Sequence, residues 1–174
     1  VFLDRDGVIN EDLNYVHKKT KFIFKKGIFK LLNILSDNKY LIFIITNQSG
    51  IARGIFTERD YQKLTDYYLS EFSNLNINIK KVYHCPHHPD FSESPFDNCD
   101  CRKPKPGLFL KAQKEYNLNM KDSLAIGDSL RDLEAAYFSG IKKRFLISSK
   151  NIKSKYITNR FNSISKCSEY LLDI

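Results

Sequence analysis

The chain has 174 residues, 42% of them hydrophobic and 28% charged, with a formal net charge of +8. That length suits one domain spanning residues 1–174 and leaves little room for a second full core. No apolar run approaches the roughly 18 residues of a membrane span, and no leader pattern opens the chain, so no membrane association and a cytoplasmic location are expected. The basic excess calls for an anionic partner, either nucleic acid or a phosphorylated metabolite. Basic residues are scattered, densest from Lys142 to Lys155, with no basic tail. Nor do they interleave with aromatics in a stripe, so a small phosphorylated molecule is the expected partner rather than nucleic acid.

Residues 1–4 read as the end of a buried strand. Ile28 to Leu35 places Ile28, Leu31, Leu32 and Leu35 on one helical face. Lys39 to Asn47 carries a continuous run of β-branched and aromatic residues, the pattern of a strand covered on both faces. Thr57-Glu-Arg-Asp60 resembles a capping box opening a helix over Tyr61 to Phe72. Short strands follow at Lys81 to His84, Ser123 to Gly127 and Arg144 to Ile147. Between them Pro106 suits a first helical turn ahead of Leu108 to Tyr116. Leu130 to Ser139 runs helically into Gly140 as a C-terminal cap. This alternation predicts an α/β fold: three layers, with a mostly parallel central sheet and helices on both faces. The inserted segment 84–105 breaks the rhythm.

Four acidic, hydroxyl or basic clusters fall at strand ends or helix starts, where open α/β sheets place their sites. Asp4-Arg-Asp6-Gly7 puts two carboxylates just past a buried strand. One can be a nucleophile if a cation offsets its repulsion of an anionic substrate, and the other an acid and then a base. Thr46 to Gly50 offers a hydroxyl followed by backbone amides suited to a phosphoryl oxygen. Lys103 is a mobile point charge ahead of a helix N-terminus. Asp128, after a short strand, can complete a hard-oxygen metal site, and Asp132 can serve as an acid in the helix's first turn. Each piece alone is an ordinary turn.

In this order the four resemble the pattern of haloacid dehalogenase (HAD) phosphatases: Asp-x-Asp-Gly, then Thr or Ser, then Lys, then Gly-Asp. The resemblance covers nearly the whole chain. It implies a HAD-like Rossmannoid fold with a minimal cap and a phospho-aspartate mechanism. Asp4 would be the nucleophile and Asp6 the general acid/base. Thr46 and Lys103 would bind the phosphoryl group. Mg²⁺ would sit on Asp4, the Asp6 carbonyl and Asp128.

Segment 84–105 holds three of the four cysteines. Cys85, Cys99 and Cys101, with one imidazole, make a closed tetrahedral zinc set that would staple a loop lacking regular structure. Residue type alone leaves His84, His87 and His88 open as the imidazole. The lone Cys167 and the absence of a secretion signal argue against a disulfide framework.

This loop is similar to that of a HAD subgroup containing heptose bisphosphate phosphatases and histidinol-phosphate phosphatases. That resemblance selects His87 as the zinc ligand. It implies substrate contacts from Asp12, Leu13, Asn14, Tyr15, Asn47, Gln48, Ser49, Arg53 and Arg102, and a monomer. Ser49, the Ala-Arg-Gly of 52–54 and the longer gap between metal-ligand pairs favour the heptose branch, with its surface-polysaccharide products. Histidinol phosphate, a 3′-phosphorylated polynucleotide and a non-catalytic zinc-stapled nucleic-acid module are the alternatives. Ser129 stands where the heptose enzymes often carry Lys.

Overall fold

The computed structural model describes residues 1–173. Six strands form one sheet: β1 (Phe2–Leu3), β2 (Ile42–Asn47), β3 (Ile79–Cys85), β4 (Leu124–Gly127), β5 (Lys143–Ile147) and β6 (Asn159–Phe161). Their order is β3-β2-β1-β4-β5-β6, and every pairing is parallel. The chain builds outward from β1 to one edge, then returns to β4 and builds to the other. The reversal leaves a crevice at the carboxyl ends of β1 and β4, where such sheets bind ligands.

Five α-helices cover the sheet: α1 (Ile28–Asp37), α2 (Glu58–Ser73), α3 (Gly107–Tyr116), α4 (Leu130–Phe138) and α5 (Ile164–Leu172). The period of two along each strand sorts its side chains between two cores. Leu3, Ile42, Ile44, Leu124 and Ile126 pack with α1, α2 and α5 residues such as Leu32, Phe72 and Ile164. Phe2, Phe43, Ile45 and Ala125 face the other way, against Leu108, Phe109 and Ala112 of α3 and Ala135 and Ala136 of α4. These are the three layers expected. Three loops, 4–27, 48–57 and 86–106, rise from the carboxyl ends of β1, β2 and β3, and their only regular structure is two short 3₁₀ turns.

Several boundaries differ from the sequence reading. β2 starts at Ile42 rather than Lys39, because Lys39 takes a left-handed φ of 61° after α1 and Leu41 is still exposed. Pro106 caps α3 from just outside its first turn. β6 and α5 were not anticipated. β6 is only three residues long with no fully buried side chain, so it carries no hydrophobic signal. α5 carries an apolar face of Ile164, Cys167 and Leu171 at helical spacing, a signal the sequence reading passed over.

No helix among the described residues is long and apolar enough to cross a membrane. The capping box is present: the Asp60 N–H donates to Thr57 Oγ1 at 3.1 Å and the Thr57 N–H to Asp60 Oδ2 at 3.0 Å. Thr57→Ala is therefore expected to cost about 1 kcal/mol, read as a lower urea midpoint; an unchanged midpoint would contradict the cap.

Candidate active site

Asp4 follows β1 directly, and its N–H donates to the Ile126 carbonyl of β4 at 3.0 Å, which pins it beside the crevice. Its Oδ1 accepts from the Arg5 N–H at 2.8 Å and from Lys103 Nζ at 2.9 Å. No hydrogen bond reaches Oδ2 among the described residues, so that oxygen is not committed, and Asp4 lines the cleft.

Lys103 is nearly inaccessible, with a side-chain exposure of 2%. Its ammonium donates to Asp4 and to the Ile45 carbonyl at 2.8 Å, and forms an ion pair with Asp132 Oδ1 at 2.7 Å. Burial opposes the charged lysine, but Asp132 and Asp4 outweigh it and raise its pKa. Asn47 holds the lysine from behind: its amide donates to the Lys103 carbonyl and accepts from the Lys103 N–H. Expected as a substrate contact, Asn47 lines the cleft with its side-chain polar groups already committed to this backbone clamp.

Asp132 is a site residue that sequence reasoning left as a helix-start acid. It is that as well: its Oδ2 accepts from the Ser129 N–H at 3.0 Å and the Ser129 hydroxyl at 2.6 Å. A capping acid and a lysine partner share one carboxylate, and no sequence signal separates the two uses. Burial works against its ionisation, yet Lys103 and Ser129 hold its pKa below the ordinary range.

Asp128 has the opposite circumstances. It has no hydrogen bond or ion pair among the described residues, and burial, then the Asp132 charge, push its pKa up to about 7. Burial, then Asp132, likewise push Asp4 up to about 8 against the pull of Lys103. Oxygens of Asp4, Asp128 and Asp132 lie within 4.8 Å of one another. Such a set is under-neutralised by a single lysine, which is the condition a divalent cation relieves. Asp132 is already paired by charge with Lys103 and bonded to Ser129 through Oδ2, whereas Asp128 has no such partner among the described residues and Asp4 keeps Oδ2 unbonded.

Asp6 sits across the cleft. Arg5 Nη2 donates to both of its oxygens at 2.9 Å, Asn10 Nδ2 to Oδ1 at 2.9 Å and Gln48 Nε2 to Oδ2 at 3.0 Å. Gln48 also donates to Thr46 Oγ1 at 2.8 Å, so the buried threonine hydroxyl keeps its own proton to give. The tight turn depends on Gly7, whose φ is +82° and whose missing Cβ makes room for the Asp128 carboxylate.

These groups line a cleft of about 350 Å³ together with Asp12, Asn14, Tyr15, Ser49, Arg53 and Arg102. Leu13, expected with them, is exposed and does not line it. His88 and Arg131 do, although neither was anticipated. Arg53 Nη2 lies 2.8 Å from His88 Nε2, with its guanidinium 4.3 Å from the centre of the Phe91 ring. Arg102 donates to the His87 carbonyl at 3.2 Å. Segment 86–102 therefore sets the cationic side of the cleft.

Beneath it, donor atoms of Cys85, His87, Cys99 and Cys101 converge within 4.8 Å. His87 Nδ1 lies 3.3 Å from the Cys101 sulfur. His84 is elsewhere, paired with Glu58 at 2.5 Å, and His88 faces the cleft. All three thiols are free of disulfides, and burial raises the pKa of Cys85. Three sulfurs and one ring nitrogen gathered this way fit a soft tetrahedral cation.

A nucleophile-ready carboxylate, a second acid two residues on, a buried lysine and an orphan aspartate, at the carboxyl ends of a parallel sheet, define a phosphoryl-transfer hydrolase of the HAD type. A family model described as polynucleotide kinase 3 phosphatase matches residues 4–159. The chain is 49% identical over 147 residues to a D-glycero-alpha-D-manno-heptose-1,7-bisphosphate 7-phosphatase of Campylobacter jejuni, covering 84% of this chain and 81% of that protein. It is 43% identical over 148 residues to a D-glycero-beta-D-manno-heptose-1,7-bisphosphate 7-phosphatase of Photorhabdus laumondii, covering 84% and 79%. Among solved structures, a D,D-heptose 1,7-bisphosphate phosphatase from B. bronchiseptica, complexed with magnesium and phosphate, superposes with a TM-score of 0.85 at 28% identity, covering 99% and 97%. The chain belongs to the polynucleotide kinase 3 phosphatase family of the HAD superfamily and, within it, to the heptose 1,7-bisphosphate 7-phosphatases.

Gly7→Ala is expected to lower both stability and turnover, because the alanine must adopt a left-handed φ and its methyl group must displace the Asp128 carboxylate. A strain of about 1–3 kcal/mol is expected. Unchanged thermal stability with full activity would contradict this packing.

Proposed function

We propose that this chain hydrolyses the 7-phosphate of D-glycero-D-manno-heptose 1,7-bisphosphate, leaving the 1-phosphate for nucleotide-activated heptose and surface-polysaccharide synthesis. The observation that carries the reading is the pairing of functions in one cleft. A carboxylate–lysine cluster suited to phosphoryl transfer shares it with Arg53 and Arg102, which can hold a second phosphate or the sugar hydroxyls. The names of the relatives support the same substrate. We read the chain as one domain, working as a cytoplasmic monomer.

In this mechanism Thr46 and Lys103 orient the phosphoryl group, with the Thr46 hydroxyl free to donate. Asp4 Oδ2 attacks phosphorus in line. The bond from phosphorus to the C7 oxygen breaks, its electron pair leaves on that oxygen, and Asp6 supplies the proton. The resulting acyl phosphate on Asp4 is then opened by water, whose proton returns to Asp6 as the Asp4 carboxylate is restored. Asp4, the Asp6 carbonyl and Asp128 would hold Mg²⁺, which supplies charge neutralisation between the carboxylates and the phosphoryl oxygens. Lys103 stabilises charge spread over the transferring group. Cys85, His87, Cys99 and Cys101 would hold a structural Zn²⁺ that fixes the shape of segment 86–102.

Phosphate release tests the substrate. With magnesium present, both anomers of the heptose bisphosphate would be compared with histidinol phosphate and a 3′-phosphorylated oligonucleotide. One heptose anomer should lead by about a hundredfold in kcat/KM, roughly 3 kcal/mol of transition-state binding. Faster release from either non-heptose compound would replace the substrate assignment. Asp4→Asn should abolish turnover while keeping the thermal midpoint, and retained activity would refute the nucleophile. Purified protein should contain one zinc per chain, and Cys101→Ser should lose it with a clear drop in Tm. A metal-free wild type of equal stability would refute the staple.

A further inference from the structure

Arg5 is the residue between the two aspartates, and its side chain is completely buried. A buried guanidinium needs partners to offset desolvation. All of the Arg5 side chain's hydrogen bonds to protein acceptors come from one nitrogen. Nη2 donates to both Asp6 oxygens and, at 2.9 Å, to the carbonyl of Val16. Nη2 carries two hydrogens, so one is shared by the carboxylate and the other goes to Val16. The other edge, Nε and Nη1, has no protein acceptor. It lies near Tyr61 and Tyr68, whose hydroxyls also lack partners, as does that of Thr65. Buried polar groups grouped in this way are suited to internal water.

Val16 closes the loop that lines the cleft with Asp12, Asn14 and Tyr15. Asn14 and Tyr15 are consecutive non-glycine residues at φ of 56° and 51°. Successive left-handed residues persist only where their surroundings hold them. The Val16 side chain is buried, His17 stacks on Phe56 at 5.1 Å, and the Asp12 carboxylate accepts from the Asn14 N–H at 3.1 Å. The Arg5–Val16 bond ties the far end of this loop to the reacting groups, while at its start Asn10 Nδ2 donates to both Asp6 Oδ1 and the Glu11 carbonyl.

We propose that Arg5 is a positioning residue for the hydrolysis: its guanidinium joins the Asp6 carboxylate to the backbone of loop 12–16, so that the proton-transfer group and the substrate-side loop are set as one unit. This rests on the reading of Asp6 as general acid/base. Lysine is not equivalent, because its Nζ ends one bond short of the Nη2 position from which all three bonds are made, and its flexible stem lacks the planar group that fixes that nitrogen.

The test compares kcat/KM for wild type, Arg5→Lys, Arg5→Met and Asp6→Asn on two substrates. One is the heptose bisphosphate, whose alkoxide leaving group needs a proton. The other is p-nitrophenyl phosphate, whose leaving group does not. Asp6→Asn should lose about a hundredfold more on the heptose compound than on the aryl phosphate. Both Arg5 variants should show the same bias, about tenfold or more, with Asp6 still present. Equal losses on the two substrates, or none, would overturn the proposal while the Asp6→Asn bias kept the acid/base reading. Absence of bias in Asp6→Asn would overturn both. If the Arg5 variants do not fold, NMR of the Asp6→Asn protein decides. The coupling predicts shifted amide signals at residues 14–17 relative to wild type, and unshifted signals there would overturn it.

Discussion

The ammonium of Lys103, buried between Asp4 and Asp132, is the interaction around which the site is organised. A lone buried lysine would be strongly disfavoured, and so would two adjacent buried carboxylates. Together they offset one another, and the Ile45 carbonyl and the Asn47 clamp complete the lysine's surroundings. The price of that arrangement falls on Asp128, which is left without a countercharge, and on Asp4, whose second oxygen has no hydrogen bond among the described residues. One cation among three carboxylates creates both a place for a divalent metal and an oxygen ready to attack.

The charged cluster can exist because the sheet delivers its members to one spot. Asp4 leaves β1, Asp128 leaves the adjacent β4, and Asp132 lies one helical turn beyond it. Lys103 reaches in from the long segment after β3. The two flanking cores, one behind α1, α2 and α5 and the other behind α3 and α4, make the strands continuous hydrophobic runs. That leaves their carboxyl ends as the places where polar groups gather. The Cys/His cluster has an analogous role for segment 86–102, which contains only one short 3₁₀ turn and yet must hold Arg102 and His88 at the cleft.

Much of this was legible in the sequence, for physical reasons that can be named. The continuous run in β2, the capping box at Thr57 and the acids after β1 and β4 are local signals, and the local structure obeys them. His87 could not be separated from its neighbours by residue type; the fold separates them, since His84 belongs to β3 and pairs with Glu58. What escaped was non-local. Asp132 looks like a helix-start acid because it is one, and its bond to Lys103 exists only after α4 and segment 86–106 meet. Asn47 lines the cleft, and the further use of its amide on the Lys103 backbone is a pairing across 56 residues that no local pattern announces. Leu13 followed its neighbours in the pattern, yet the turn around Asn14 and Tyr15 leaves it outside the cleft. Arg131 and His88 enter the cleft through the turns that precede them, and no periodicity announces this.

The most direct test of the account is to locate the phosphoryl group during turnover. Enzyme turning over the heptose bisphosphate would be quenched in acid and treated with borohydride, which reduces an aspartyl phosphate to the alcohol. Peptide mass spectrometry would then find the modified residue. The account predicts modification at Asp4 alone, and none in Asp4→Asn. Modification at Asp128 or Asp132, or efficient turnover with no modified residue, would contradict it.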